Sequence, residues 1–406
     1  MSIFQNHATE TKPTLKVIED IGNISTIPTV DIPFSKLHTT GKELEYMAQA
    51  INSGHIFGDG NYTKKCQAWL KETLGAKKVL LTHSCTAALE IAALLADIQP
   101  SDEIIMPSYT FVSTANAFVL RGGIPVFVDV RPDTLNLDEA KIEAAITDKP
   151  KAIVPVHYAG VGCEMDAINR IANQYGLVVI EDAAQAFAAD YKNFPLGSLG
   201  HLGAFSFHAT KNIVSGEGGA LVINSPEFLE RAEIIWEKGT NRSQFLRGDV
   251  DKYTWVDIGS SFLPSDLLAA FLWAQLESSR SITDRRLAIW NLYHRAFEYS
   301  EIQGKVKRPV VPSYCKHNAH IYYLQVEDLA ARTDMLSFLK KQGIKATFHY
   351  VPLHAAPAGK KYGKVVGDLS VTEAISDRII RLPLSAALTF EEVDYIITQV
   401  LQILNR

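Results

Sequence analysis

Gly203-Ala-Phe-Ser-Phe-His-Ala-Thr-Lys-Asn212, followed by Ile213-Val-Ser-Gly-Glu-Gly-Gly-Ala220, is the stretch on which the reading of this chain turns. The apolar run 204–207 reads as a buried strand, and the run 220–223, beyond a glycine-rich turn, reads as a second. Between them stands Lys211. A lysine beside buried strands is costly unless its amine has a partner, and a desolvated lysine gives up its proton and becomes a nucleophile for carbonyls. The plain alternative is a lysine that snorkels from a strand end into water.

Upstream, apolar runs recur at 79–81, 103–106, 125–130, 152–156 and 177–180. Helical spacing alternates with them at 86–95, 112–120, 138–146 and 166–175, and again at 226–238. Near-continuous β-branched strands between helices specify an α/β fold with a mostly parallel, seven-stranded sheet covered on both faces. No full helix separates 204–207 from 220–223, so one antiparallel strand is expected there. Two helices precede this array, at 42–53 and at 63–74, the second closed by Gly75. Long helices at 266–279 and 282–299 follow it. After Arg308-Pro-Val-Val-Pro312 come an apolar run at 320–326, a helix at 333–342, a run at 345–350, a Gly- and Pro-containing loop and two closing helices. The expected division is an N-terminal extension (1–28), a large domain (29–280) and a small C-terminal α/β domain (281–406).

Bulk properties remove several classes. The 406 residues are 47% apolar and 21% charged, with a net charge of −5 and no long basic run, which disfavours nucleic acid and anionic membranes. No apolar stretch reaches the roughly 18–20 residues needed to span a bilayer, and the polar N-terminus carries no export signal. Cys66, Cys85, Cys163 and Cys315 form no CxxC pair, which suits a reduced, cytoplasmic setting. Cys315-x-His317-x-x-His320 and His349 with His354 fall in no zinc framework, so no metal is expected. Neither a nucleophile elbow nor a phosphate-binding GKS/T loop is present.

Ligands of open α/β sheets bind at the carboxyl ends of the strands. After the run 79–81, Thr82-His-Ser-Cys-Thr-Ala-Ala88 begins a helix and offers hydroxyls and backbone N–H groups to an anion, or simply an N-cap. After 103–106, Tyr109 or Phe111 could stack on a planar ring, or pack in the core. After 177–180 come Glu181, Asp182 and Gln185: a carboxylate that needs a cationic or hydrogen-bonding partner, and an amide donor close to it. Ser206 adds a hydroxyl ahead of Lys211. A phosphate cup, a ring stacker, an acid for a ring nitrogen, a donor to a ring oxygen and a Schiff-base lysine are what pyridoxal phosphate requires.

Longer stretches carry a specific resemblance: Ile105-Met-Pro-Ser-Tyr-Thr-Phe-Val-Ser-Thr-Ala-Asn-Ala-Phe-Val-Leu-Arg121, Val154-Pro-Val-His-Tyr-Ala-Gly160, Glu181-Asp-Ala-Ala-Gln185, Lys238-Gly-Thr-Asn-Arg-Ser-Gln-Phe245 and Phe348-His-Tyr-Val-Pro-Leu-His354. From about Pro33 to its end the chain resembles the DegT/DnrJ/EryC1/StrS sugar aminotransferases, and among them the transaminases that form dTDP-4-amino-4,6-dideoxygalactose. The resemblance implies the type I aspartate-aminotransferase fold and a homodimer with shared active sites. It implies Lys211 as the Schiff-base lysine, Asp182 on the pyridine nitrogen, Gln185 on the ring oxygen and Tyr109 as ring stacker. Thr86, Ala87 and Ser206 match the phosphate cup, Asn241 reaches the phosphate from the second subunit, and Arg247 and His349 lie towards the substrates. The implied reaction moves the amine of L-glutamate to C4 of a nucleotide-linked 4-keto-6-deoxyhexose for a cell-surface polysaccharide. A 3-keto-sugar, a UDP- or GDP-sugar, or a non-catalytic cofactor-binding regulator are the competing readings. One departure is visible: the turn from Lys211 to Gly216 is shorter than the family's pattern.

Overall fold

The structure, a computed structural model, describes residues 30–406; the expected extension 1–28 lies outside them. Seven strands build the main sheet: β1 (Lys78–Thr82), β2 (Glu103–Pro107), β3 (Ile124–Val128), β4 (Pro150–Ile153), β5 (Val178–Asp182), β6 (Leu202–Ser206) and β7 (Gly219–Ile223). Their order is β1-β7-β6-β5-β4-β2-β3. All neighbours run parallel except β7, which is antiparallel to both β1 and β6, as the missing helix before residue 220 required. An eighth, two-residue strand, Lys364–Val365, extends the sheet beside β3 and was not foreseen.

Alternate residues of these strands feed two separate cores. Leu81, Ile105, Ile153, Val179, Phe205 and Val222 pack on one face, and Leu80, Ile104, Ala152, Ile180, Ala204 and Leu221 on the other. Because successive side chains point to opposite faces, a strand buried on both sides has to be apolar throughout, and this gives the near-continuous runs in the sequence. A third core holds Ile289, Tyr293, Tyr322, Leu324, Leu339, Ile380 and Ile396, joined by Ile32.

The helices largely lie where the spacing placed them, for instance Asn61–Leu74, which ends at Gly75 with φ +64°. The segment 138–146 does not form the expected helix but two 3₁₀ turns, Glu139–Lys141 and Glu143–Ala145. Ile146 leaves helical space at ψ 120° to deliver the chain to β4, so too few residues remain for a full helix. The run 345–350 is no strand either; among the described residues its strand-like pairing is one isolated bridge, Thr347 to Arg381, with a second, Ile344 to Ile32, just before it. The strand that pairs with Tyr322–Gln325 is instead Ile379–Leu382, just before the final helix Phe390–Leu404.

The C-terminal part is stitched to the large sheet at several points. Asp129, just past β3, accepts from the Thr372 N–H (2.9 Å) and hydroxyl (2.7 Å) in the first turn of the helix Ser370–Arg378. Ser108, just past β2, hydrogen-bonds the His354 ring at 2.7 Å. These contacts hold the segment 347–354 against the carboxyl edge of the sheet.

Candidate active site

The carboxyl ends of β1, β2, β5 and β6 surround one cavity of about 600 Å³. Lys211 lines it, together with Thr86, Asp182, Gln185, Ser206 and His349 from the sequence reading. The loop after β6 folds back on itself, with Ala209 N–H donating to Gly216 O and Lys211 N–H to His208 O, and so carries the lysine to the cavity wall. Lys211 keeps partial exposure to the cavity, yet its pKa lies below the usual lysine range. Burial is the main cause; Arg381 adds to it, and Cys85 and Asp182 oppose it.

Strand alternation separates the neighbouring carboxylates of β5. Glu181 points away from the cavity, accepting from Gly197 N–H and Leu199 N–H, both at 2.7 Å. It also accepts from His157 Nε2 at 2.8 Å. That ring's Nδ1 is an acceptor for Cys163 N–H, so Nε2 carries the proton. Asp182 points into the cavity, held by the Thr114 hydroxyl at 2.7 Å and by Ala184 N–H at 3.1 Å. Gln185 is anchored at its oxygen by Ala159 N–H (2.8 Å), which fixes its amide nitrogen as the donor end; that nitrogen donates to Tyr350 Oη at 3.1 Å.

The helix Cys85–Leu95 points its first turn at the same cavity. The Ser84 side chain takes the Ala87 N–H (3.1 Å) and the Ser84 carbonyl takes that of Ala88, so among the described residues the free donors of this turn are Cys85 and Thr86. Ala87 itself is buried and already capped, which shifts the expected anion cup one residue towards the helix start. Ser206 and the Thr86 hydroxyl complete it. The cup also explains Gly219: a Cβ there would stand 2.5 Å from the Cys85 nitrogen. Gly219→Ala is therefore expected to push the helix start away and destabilise the fold by about 1–3 kcal/mol, with weakened cofactor binding, as read by thermal unfolding and cofactor titration.

Three predicted residues stand elsewhere. Tyr109 does not line the cavity: its ring is 1% exposed, packed edge-on against Tyr158 and Tyr350, and its hydroxyl donates to His349 O at 2.6 Å. Two residues on, where the strand has ended, Phe111 is 57% exposed and lines the cavity. Arg247 is engaged by Glu233 and Asp249, away from the cavity. Asn241 lies outside it too, its side-chain oxygen accepting from Thr254 N–H at 2.7 Å.

Arg381, on the strand Ile379–Leu382, is the residue the sequence reading missed. It lines the cavity, lies 4.5 Å above the Phe34 ring and donates to His349 Nε2. Its Nε finds no partner among the described residues, and no carboxylate pairs with it there. Burial lowers its pKa from the ordinary arginine value. Burial, and then the Arg381 charge, push His349 down to about 2, so this ring is neutral and, with Nε2 accepting, carries its proton on Nδ1. An arginine inside the apolar run Ile379-Ile-Arg-Leu382 was the available signal.

Comparison with known proteins agrees with this geometry. The sequence pattern described as the DegT/DnrJ/EryC1/StrS aminotransferase family matches residues 38–401. The spore coat polysaccharide biosynthesis protein SpsC of Bacillus subtilis is 34% identical, over 92% of this chain and 97% of its own. The putative sugar aminotransferase Spr1654 of Streptococcus pneumoniae, solved in PLP, PMP and apo forms, superposes with a TM-score of 0.85 at 28% identity, over 92% of this chain and 98% of its own in the PMP form. PseC of Helicobacter pylori, an aminotransferase of pseudoaminic acid biosynthesis, superposes with a TM-score of 0.83 at 26% identity, over 92% and 99%. A lysine whose pKa burial lowers, a carboxylate, an amide donor and an N–H cup around one cavity suit pyridoxal phosphate part by part. The chain belongs to the DegT/DnrJ/EryC1/StrS aminotransferase family, with the type I fold, and is a pyridoxal-phosphate-dependent sugar aminotransferase.

Proposed function

We propose that this protein moves the amine of L-glutamate to C4 of a dTDP-linked 4-keto-6-deoxyhexose destined for a cell-surface polysaccharide. The observation that carries the reading is Lys211, its pKa lowered, sharing one cavity with Asp182 and with Arg381, which no carboxylate neutralises among the described residues. The long stretches 105–121 and 238–245 support the choice of sugar.

Pyridoxal phosphate supplies the electron sink that makes the carbon bearing the amine acidic. Lys211 would hold the cofactor aldehyde, and its amine, freed by the donor, would be the base that moves the proton of that carbon. Asp182 would hold the ring nitrogen, and the Gln185 amide nitrogen would donate to the ring oxygen. Phe111, rather than Tyr109, would cover the ring. Cys85 and Thr86 N–H, with the Thr86 and Ser206 hydroxyls, would hold the phosphate at the helix start. Arg381 takes a carboxylate of glutamate, with His349 fixing the guanidinium.

Asn241 and the loop around Arg247 act across a homodimer in this reading. What supports it is an apolar group exposed on that loop: Phe245, Leu246, Tyr253, Val256 and Trp255, the last 78% exposed. Trp255→Glu is expected to convert a dimer to monomers in sedimentation and to lower activity with it. All four cysteines are unpaired, which supports a reducing, cytoplasmic compartment. Among the described residues no helix is long and apolar enough to cross a membrane.

A panel of dTDP-, UDP- and GDP-linked 4-keto and 3-keto sugars, incubated with L-glutamate and followed by mass spectrometry, tests the assignment. Amination of the dTDP 4-keto sugar in preference to the others is expected. Preference for a 3-keto sugar or another nucleotide overturns it, and a cofactor absorbance that no amino acid changes overturns the transaminase reading.

A further inference from the structure

We infer that Thr114, oriented by Thr110, is the positioning residue that fixes the Asp182 carboxylate and through it tunes the protonation of the bound cofactor. The inference rests on the assignment of Asp182 to the cofactor's ring nitrogen. Thr110 lies just before Phe111, the N-cap of the helix Val112–Val119, and Thr114 lies in its first turn, so the bend at the helix entry brings the two hydroxyls together. Both are buried, Thr114 at 0% and Thr110 at 2% exposure. The Thr114 hydroxyl lies 2.7 Å from Asp182 Oδ2, and the two threonine hydroxyls are 2.8 Å apart.

The proton direction follows from counting. A hydroxyl has one proton, and a carboxylate only accepts, so the Thr114 proton is committed to Asp182. The hydrogen bond between the threonines is then made by the Thr110 proton, donated to Thr114. The result is a one-way chain, Thr110 to Thr114 to Asp182, with each donation strengthening the next.

The backbone leaves Asp182 little choice of place. Its N–H donates to Pro155 O at 2.9 Å, its carbonyl accepts from His157 N–H, and the next residue's N–H bonds Ala204 O. Rotation of the carboxylate is the remaining freedom, and Ala184 N–H on Oδ1 with Thr114 on Oδ2 removes it. A hydrogen bond to the charged form of an acid favours that form. Donation from Thr114 therefore favours a proton held by the partner of Asp182, and loss of this donor weakens that preference. The other ionisable groups acting on Asp182 are Cys85, Lys211 and Tyr350, with Arg381 acting in turn on Lys211. Thr114→Val changes none of them.

The test is the pH titration of the visible absorbance of the lysine-bound cofactor, together with cofactor binding to the apoprotein. Thr114→Val is expected to move the titration midpoint by roughly one unit and to weaken cofactor binding about tenfold, while Thr114→Ser stays within about threefold of wild type. Thr110→Val, which leaves the donor to Asp182 in place, gives a smaller shift of the same sign and serves if Thr114→Val does not fold. A wild-type midpoint in Thr114→Val, or in Thr110→Val where only that variant folds, overturns the inference; so does a Thr114→Ser protein that behaves like the valine variant. Asp182→Asn separates the two levels. If it fails to move the midpoint, the ring-nitrogen assignment is wrong; if it moves the midpoint and the threonine variants do not, only the role of Thr114 is.

Discussion

Lys211→Met is expected to leave a folded protein that binds pyridoxal phosphate but turns over neither glutamate nor keto-sugar, with a rate loss of about 10⁴-fold or more. Borohydride, which fixes the cofactor to the wild-type chain, fixes none to the variant, and mass spectrometry of the intact protein reads this directly. Turnover by Lys211→Met within tenfold of wild type would remove the lysine from the mechanism. The same variant carries a thermodynamic signature in the cofactor-free protein. Folding lowers the Lys211 pKa beneath 10.5, so the unfolded chain holds more protons between the lowered value and 10.5. Stability then rises with pH across that window. Below the window the buried amine is charged and its desolvation cost is complete; above 10.5 it is neutral in both states and the cost is gone. The difference between wild type and Lys211→Met in denaturant unfolding is expected to shrink as the pH rises.

Arg381→Gln is expected to raise the KM for L-glutamate by ~10–100-fold, the worth of a charge-assisted hydrogen bond to a carboxylate. The KM for the nucleotide sugar changes little. Arg381→Lys keeps the charge but not the planar fork and falls between the two. The guanidinium is poised for this because its neighbours leave its charge unanswered: neutral His349 accepts one N–H, the Phe34 face lies at 4.5 Å, and Nε has no partner among the described residues. If the sugar KM rises instead and that for glutamate does not, Arg381 serves the nucleotide's phosphates. A His349→Asn variant, which can still accept from Arg381 but is not aromatic, is expected to retain most of the glutamate affinity.

The layered fold was legible because a sheet buried on both faces leaves its strands no choice of residue. Val79, Leu80 and Leu81, or Ile104, Ile105 and Met106, have to be apolar in succession. The missing helix between residues 207 and 220 likewise announced the antiparallel strand β7. Where tertiary contacts outweigh local pattern, legibility ended. Residues 138–146 have helical spacing, yet the demand to enter β4 unwinds them into two 3₁₀ turns. Residues 345–350 have strand-like content, yet His349 and Tyr350 turn towards the cavity instead of pairing.

For the site, sequence alone determined the types and order of the groups at the strand ends: hydroxyls at a helix start, an aromatic, an acid with an amide three residues on, and one lysine before a glycine-rich turn. These follow from period and strand-end position, which are local properties. Only the tertiary structure decided which groups face the cavity. It turned Asp182 in and Glu181 out, buried Tyr109 beneath His349 and left Phe111 exposed to the cavity. It also carried Arg381, 170 residues beyond Lys211 in the chain, to the same cavity by pairing its strand with Tyr322–Gln325. The physical reason is that orientation depends on what packs behind a side chain. For Lys211 that is the desolvating wall from the folded chain, which lowers its pKa and makes a lysine fit to be a nucleophile.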